Sequence, residues 1–121
     1  MTTAIFALLI LLQIKHWYID FVNQTMDEVH SKAIYGDLRG IGHSAKQGIG
    51  TLVCMLIVAG YAYIVYAVIL ALFDAVIHYH TDWAKMNYGN RDIQTPQFWN
   101  HLGLDQMVHQ VTYILIAFMM A

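Results

Sequence analysis

The sequence predicts an all-α integral membrane protein, a four-helix bundle built from two hairpins. Three observations predict it. Hydrophobic residues make up 59% of the 121 residues and charged residues only 12%, about half the charge of a soluble domain. Three apolar stretches, Ala4–Val22, Gly48–Ile77 and Leu104–Ala121, are long enough to cross lipid. Polar residues inside and beside them recur at steps of three or four. The length suits a single domain, residues 1–121. The net charge of −2 gives no case for a nucleic-acid partner. One cysteine, Cys54, leaves no intrachain disulfide and no thiol-based zinc knuckle.

The first stretch lacks a basic leader before it and a small-residue cleavage pattern after it. It reads as a retained helix rather than a signal peptide. The middle stretch holds a single charge, Asp74. As one helix it would run about 45 Å, well beyond the ~30 Å hydrocarbon core. Extended to its polar ends, His43–Asp82, it divides into two helices of ordinary length, with the break near Val58–Tyr63 at Gly60. Charge supports the division. In a four-span arrangement Lys15, Lys32, Arg39, Lys46, Lys85 and Arg91 all fall at one membrane face, and the other face has no basic side chain. The positive-inside rule then puts the basic loops in the cytoplasm and both termini outside. Three spans would scatter the same charges, so four are preferred.

The cytoplasmic connections are Gln24–Gly42 and Lys85–Asn100. The first reads as partly helical through Met26, Val29 and Ala33, ending in a glycine-rich bend at Gly36, Gly40 and Gly42. The second, with Asn87, Gly89, Asn90 and Pro96, reads as a loop. Trp17, Tyr18, Trp83, Phe98 and Trp99 fit an aromatic belt at that face, and Tyr61, Tyr63 and Tyr66 the belt opposite. Lys15 is expected to snorkel to the headgroups. Asp27, Glu28, Asp37, Arg39, Arg91 and Asp92 read as solvated loop charges.

Each predicted helix carries one polar stripe. Helix 1 has Gln13, His16, Asp20 and Gln24; helix 2 has His43, Gln47 and Cys54. Helix 3 has Asp74, His78, Asp82 and Lys85; helix 4 has His101, Asp105, His109 and Thr112. Steps of three or four keep such sets on one helix face, and lipid cannot solvate them, so they face inward. With four spans the ionisable residues gather at one depth, in the cytoplasmic half.

Their chemistry has a recurring form. His16-x-x-x-Asp20 and His78-x-x-x-Asp82 share one spacing, and Asp105-x-x-x-His109 reverses it. Each pair offers an imidazole nitrogen and a carboxylate oxygen on one side of a helix, the mixed donor set suited to Zn²⁺, and also to Mn²⁺ or Fe²⁺. The candidate ligands are His16, Asp20, His43, His78, Asp82 and His109. Asp105 and Asp74 are the candidate general bases, Asp74 and His43 also standing as further ligands or as groups that orient them. Gln24 and Gln106 are candidates for positioning a water or substrate oxygen, with Lys85 beside them. The bland reading is an interhelical hydrogen-bonding group, the commoner role of a lone membrane His or Asp. Three pairs meeting at one depth weigh against it. His30, His80 and His101 read as interfacial or surface histidines.

The pattern His16-x-x-x-Asp20-x-x-x-Gln24, His43, His78-x-x-x-Asp82-x-x-Lys85 and Asp105-Gln106-x-x-His109 resembles a family of small bacterial and phage membrane proteins classified as a domain of unknown function. The resemblance spans nearly the whole chain. The sequence departs from it in a longer polar loop, Met86–Asn100, and in Asp74. The resemblance implies a bacterial inner membrane or host cell membrane and supplies no reaction.

Three functions follow as expectations. One is a metal-dependent hydrolase acting at the membrane interface on a lipid or membrane-anchored substrate. Another is a non-enzymatic assembly or phage envelope-modifying protein, its stripes serving as interhelical hydrogen bonds worth roughly 0.6–2 kcal/mol each. The third is an ion or proton conduit, which would require a homo-oligomer because the opposite half of the bundle lacks polar residues.

Overall fold

The computed structural model describes all residues, 1–121, and contains helices and turns without strands. Helix α1 spans Thr2–Trp17 and runs directly into a wider π-helical turn, Tyr18–Val22. A short α2, Met26–Ser31, follows, its first turn capped by the Thr25 hydroxyl accepting from the Glu28 amide. Helix α3 spans Leu38–Ala59 from an Asp37 cap, and α4 spans Ile64–Tyr88. Helix α5, Pro96–Met120, starts with Pro96 in its first turn and the Thr95 hydroxyl as cap.

Helix α1 together with its Tyr18–Val22 continuation, helix α3, and α4 with its lead-in turn are long and apolar enough to cross a membrane. Helix α5, expected as a fourth span, is as long as α4 at 25 residues but is not among these three, because it carries His101, Asp105, Gln106, His109 and Gln110 in its first half. Helix α1 packs against α3 and α5, and α4 packs against the same two.

The expected break at Gly60 is present. Gly60 ends α3 at φ 81° and ψ 170°, a region open essentially to glycine alone, and a single 3₁₀ turn, Tyr61–Tyr63, leads into α4. The other bends differ from expectation. Helix α3 begins at Leu38, so Gly40 and Gly42 are helical and only Gly36, at φ 89°, turns the chain. Helix α4 continues to Tyr88, and the loop expected over Lys85–Asn100 shrinks to the residues between Tyr88 and Pro96. Helical hydrogen bonding, ending with the Gly89 amide on the Lys85 carbonyl, overrides the polar composition of that segment.

The interior inverts the pattern of a water-soluble protein. Only 28 of 121 residues are buried, and polar or charged ones outnumber hydrophobic ones among them. Large apolar side chains such as Phe6, Ile10, Ile57, Val65, Leu72 and Phe118 face outward, as lipid requires. Three layers stack along the helices. An apolar layer of Leu8, Leu12, Met55, Leu70 and Ile116 fills the end near Gly60. Lys15, Gln47, Thr51, Asp74 and Tyr113 follow, and the His and Asp residues fill the other end.

Two glycines give a direct test of the hairpin. A Cβ on Gly60 would meet no atom within 4 Å, so Gly60→Ala carries backbone strain alone, about 1–3 kcal/mol. A Cβ on Gly48 would sit 2.9 Å from the Ala71 carbonyl oxygen and 3.0 Å from the Ala75 methyl, forcing α3 and α4 apart. Unfolding in detergent micelles is expected to show both variants less stable than wild type, with Gly42→Ala, an open helical position, unchanged or slightly more stable.

Candidate metal centre

The site is assembled from four elements whose polar ends meet. The C-terminal end of α1 supplies His16, and its π turn supplies Asp20. The first half of α3 supplies His43, the second half of α4 supplies His78 and Asp82, and the start of α5 supplies Asp105 and His109. All seven are buried, His43, His78 and His109 to within 1% of full burial. π-helical turns concentrate at functional sites; this one carries Asp20.

The donor atoms converge. His43 Nε2 lies 2.9 Å from Asp20 Oδ1, and His78 Nε2 lies 3.3 Å from that same oxygen. The two Nε2 atoms are 3.3 Å apart. Asp82 Oδ2 is 3.1 Å from His78 Nε2 and 3.8 Å from His43 Nε2. On the α5 side, His109 Nε2 is 3.4 Å from Asp105 Oδ1 and 3.7 Å from Asp82 Oδ1. His16 Nδ1 faces the second oxygen of Asp20 at 3.3 Å. Three groups therefore present donors within 4.8 Å of one another: His16, Asp20 and His78; His43, His78 and Asp82; Asp82, Asp105 and His109. Several of these buried atoms, including Asp82 Oδ1, Asp105 Oδ1 and both nitrogens of His109, have no hydrogen-bond partner, an arrangement that is costly unless something else satisfies them.

Outer contacts fix how two imidazoles face the centre. His43 Nδ1 stands 3.2 Å from Glu28 Oε2. A carboxylate only accepts, so Nδ1 is protonated toward Glu28, and Nε2, 2.9 Å from the Asp20 carboxylate, needs either a second proton on the ring or a cation beside it. Gln106 Nε2 donates to Asp105 Oδ2 at 3.0 Å, which turns its Oε1 toward His16 Nε2 at 2.7 Å. His16 Nε2 is then the protonated nitrogen, and Nδ1 faces Asp20 as an acceptor. Acceptor against carboxylate is repulsive unless each ring takes a second proton or a cation lies between. Metal-ligating histidines characteristically donate their outer N–H to such partners.

A cap closes the centre from the side of α2. Lys32 Nζ reaches Asp82 Oδ2 at 2.9 Å and also donates to Gln24 Oε1; Gln24 Nε2 in turn holds the Asp20 carbonyl at 2.9 Å. Lys46 donates to Glu28 Oε1 at 2.7 Å. Partial burial disfavours the Glu28 charge, but Lys46 and His43 outweigh it and hold this carboxyl below the usual range. On the far side Lys85 Nζ pairs with Asp105 Oδ2 at 3.0 Å.

Glu28 and Lys32 escaped the sequence reading, the first taken as a solvated loop charge. Their partners lie 15 and 50 residues away, and no local spacing marks them. The Thr25-x-x-Glu28 capping signature, which starts a helix there, was the one available signal. The histidines expected at the surface lie apart from the cluster; His80, for instance, bonds the Val76 carbonyl at an exposed site.

Asp74 sits outside the cluster, one layer deeper. It accepts from Lys15 Nζ at 3.0 Å and from the Thr51 hydroxyl at 2.5 Å. Lys15 does not snorkel: its side chain is buried and also donates to Gln47 Oε1 at 2.8 Å and the Tyr113 oxygen at 3.2 Å. Gln47 links the layers, donating through Nε2 to Asp20 Oδ1 at 2.8 Å. Lys15 turns inward because Asp74, Gln47 and Tyr113 together replace the water it would otherwise seek.

No family model matches the chain. Neither the curated proteins nor the solved structures contain a match.

The Lys15–Asp74 pair yields a stability test. Removing one partner strands a buried charge, a loss of about 3–5 kcal/mol, while replacing both by apolar residues of similar volume is near neutral. Thermal unfolding in micelles is expected to show Lys15→Met and Asp74→Leu each severely destabilised and the double variant largely restored.

Proposed function

We propose that this protein is an integral membrane four-helix bundle that binds a divalent metal ion at its cytoplasmic end and uses it for hydrolysis. Zinc is the preferred ion, with manganese or iron as alternatives, and the substrate is a lipid or membrane-anchored molecule. The observation that carries the reading is the orientation of His43 and His16. Glu28 and Gln106 hold their outer N–H groups, and their free nitrogens face carboxylate oxygens of one buried aspartate. A cation between His43 Nε2 and Asp20 Oδ1 would replace the repulsion between them with coordination.

Helix α5 serves as the fourth span on this reading. Its packing against both α1 and α4 supports that, as does the absence of any basic side chain from the apolar layer near Gly60. The apolar layer of Leu8, Leu12, Met55 and Ile116 speaks against an ion path through one bundle. Asp74, neutralised by Lys15, serves the architecture rather than the reaction.

A metal ion here would act as a Lewis acid and acidify a coordinated water. The protein's own part is to fix the donors, exclude bulk water and admit substrate. A groove of about 790 Å³ between α4 and α5 supports entry from the lipid side. Val76, Ile77, Leu104 and Val108 line it, and Lys85 and Asp105 stand on the same wall. An acyl chain fits such a lining, with its polar head directed at the centre.

Protein purified without chelator is expected to carry stoichiometric metal by elemental analysis, and His16→Ala/Asp20→Ala to carry less. Glu28→Gln should weaken metal affinity by about 10–100-fold with the fold intact by circular dichroism. If Glu28→Gln binds metal as wild type does, or the wild type holds none, the stripes are interhelical hydrogen bonds and the hydrolase reading fails.

A further inference from the structure

The donors are too many and too divided for one ion. Asp82 Oδ2 points toward His78 and His43, and toward Asp20 across them. Asp82 Oδ1 points the other way, toward His109, which in turn faces Asp105. Only Asp82 belongs to both sets.

Building on the metal reading above, we propose that the centre holds two divalent ions bridged by the Asp82 carboxylate, and that its ligand is a phosphate ester. The first subsite comprises Asp20 Oδ1, His43 Nε2, His78 Nε2 and Asp82 Oδ2, with His16 beside Asp20. Five separations among those four atoms run from 2.9 to 3.8 Å. Tetrahedral coordination at roughly 2.0–2.1 Å sets ligands about 3.3–3.4 Å apart, in the middle of that range. Gln47 Nε2 and Lys32 Nζ also hold the Asp20 and Asp82 oxygens, at 2.8 and 2.9 Å; with all four donors engaged this subsite would have no open position, the arrangement of a structural ion.

The second subsite is different in kind. It comprises Asp82 Oδ1, Asp105 Oδ1 and His109 Nε2, all of them buried and none with a hydrogen-bond partner. At 3.4 and 3.7 Å the His109 nitrogen is too far from either oxygen for a good hydrogen bond and correctly placed for a shared cation. Three protein donors leave a coordination position open, as in catalytic sites. Asp105, one of the three, also lines the groove between α4 and α5, so the open subsite is the one a membrane-borne ligand reaches.

Charge and spacing give the ligand class. A carboxylate bridge holds two ions about 3.5–4 Å apart, the separation that grips two oxygens of a transferring phosphoryl group. Asp20, Asp82 and Asp105 face only two cationic side chains, Lys32 and Lys85. Two divalent ions would make the centre net positive and attractive to a phosphate ester. In its hydrolysis a water oxygen bonds to phosphorus as the bond from phosphorus to the alcohol oxygen breaks, and the proton lost by the water returns to that alcohol.

The test uses the full chain in micelles, loaded with Mn²⁺, washed free of excess ion and assayed by elemental analysis and electron paramagnetic resonance. Two ions per chain with an exchange-coupled multiline spectrum are expected. His109→Gln, which alters only the open subsite, should fall to one ion and an uncoupled spectrum. Orthophosphate should alter the coupled spectrum of the wild type. One ion per chain in the wild type, or two uncoupled ions, overturns the bridged pair and leaves the mononuclear reading standing. No bound ion overturns both readings. A coupled spectrum indifferent to orthophosphate overturns the phosphate assignment alone. The wild-type spectrum decides even if His109→Gln fails to fold.

Discussion

Everything in this molecule is arranged around the cost of holding charge where lipid cannot solvate it. A polar side chain within a membrane span must find its partner inside the protein. Each long helix here has one polar stripe, and each stripe can be satisfied only by the others. That requirement fixes the rotation of α1, α3, α4 and α5 about their axes more sharply than apolar packing does, because apolar side chains are as content against lipid as against one another.

The requirement is met in two layers of different character. Lys15, Asp74, Thr51, Gln47 and Tyr113 form a set whose charges balance and whose donors mostly find acceptors. The His and Asp layer is the reverse. It gathers acceptors and carboxylates with several atoms left over, although the same bundle pairs its deeper charges closely. The contrast separates architecture from chemistry within one interior. Gln47 spans both, touching Lys15 with its oxygen and Asp20 with its nitrogen, so the charge-balanced layer positions the aspartate at the edge of the His and Asp layer.

What could be read from sequence was what depends on short range. The i,i+4 pairs were visible because helical periodicity alone puts both side chains on one face. The Gly60 break was visible because an unbroken helix would overrun the bilayer. The true start of α3 and end of α4 were not, since polar residues at a membrane face can extend a helix as readily as form a loop. Lys15 was misread for a related reason. Snorkelling is the fate of a lysine without internal partners, and its partners Gln47, Asp74 and Tyr113 lie 32, 59 and 98 residues away. Glu28 and Lys32 share that cause: a solvated charge and a capping charge have the same local sequence. Only the folded α2, laid against α3, tells them apart.

The Lys15–Asp74 contact also bears on how the chain enters a membrane. Alone in a helix, a lysine or aspartate at mid-membrane costs roughly 2.5–3.5 kcal/mol to insert. Helix α1 carries one of these burdens and α4 the other, and the turn at Gly60 is too short to let α4 wait outside once α3 has crossed. Lys15 meets Gln47 of α3 first, and its counter-ion Asp74 arrives with α4, 59 residues later. For a chain that enters lipid, the pairing that neutralises the α1 charge is therefore complete only when α4 is in place.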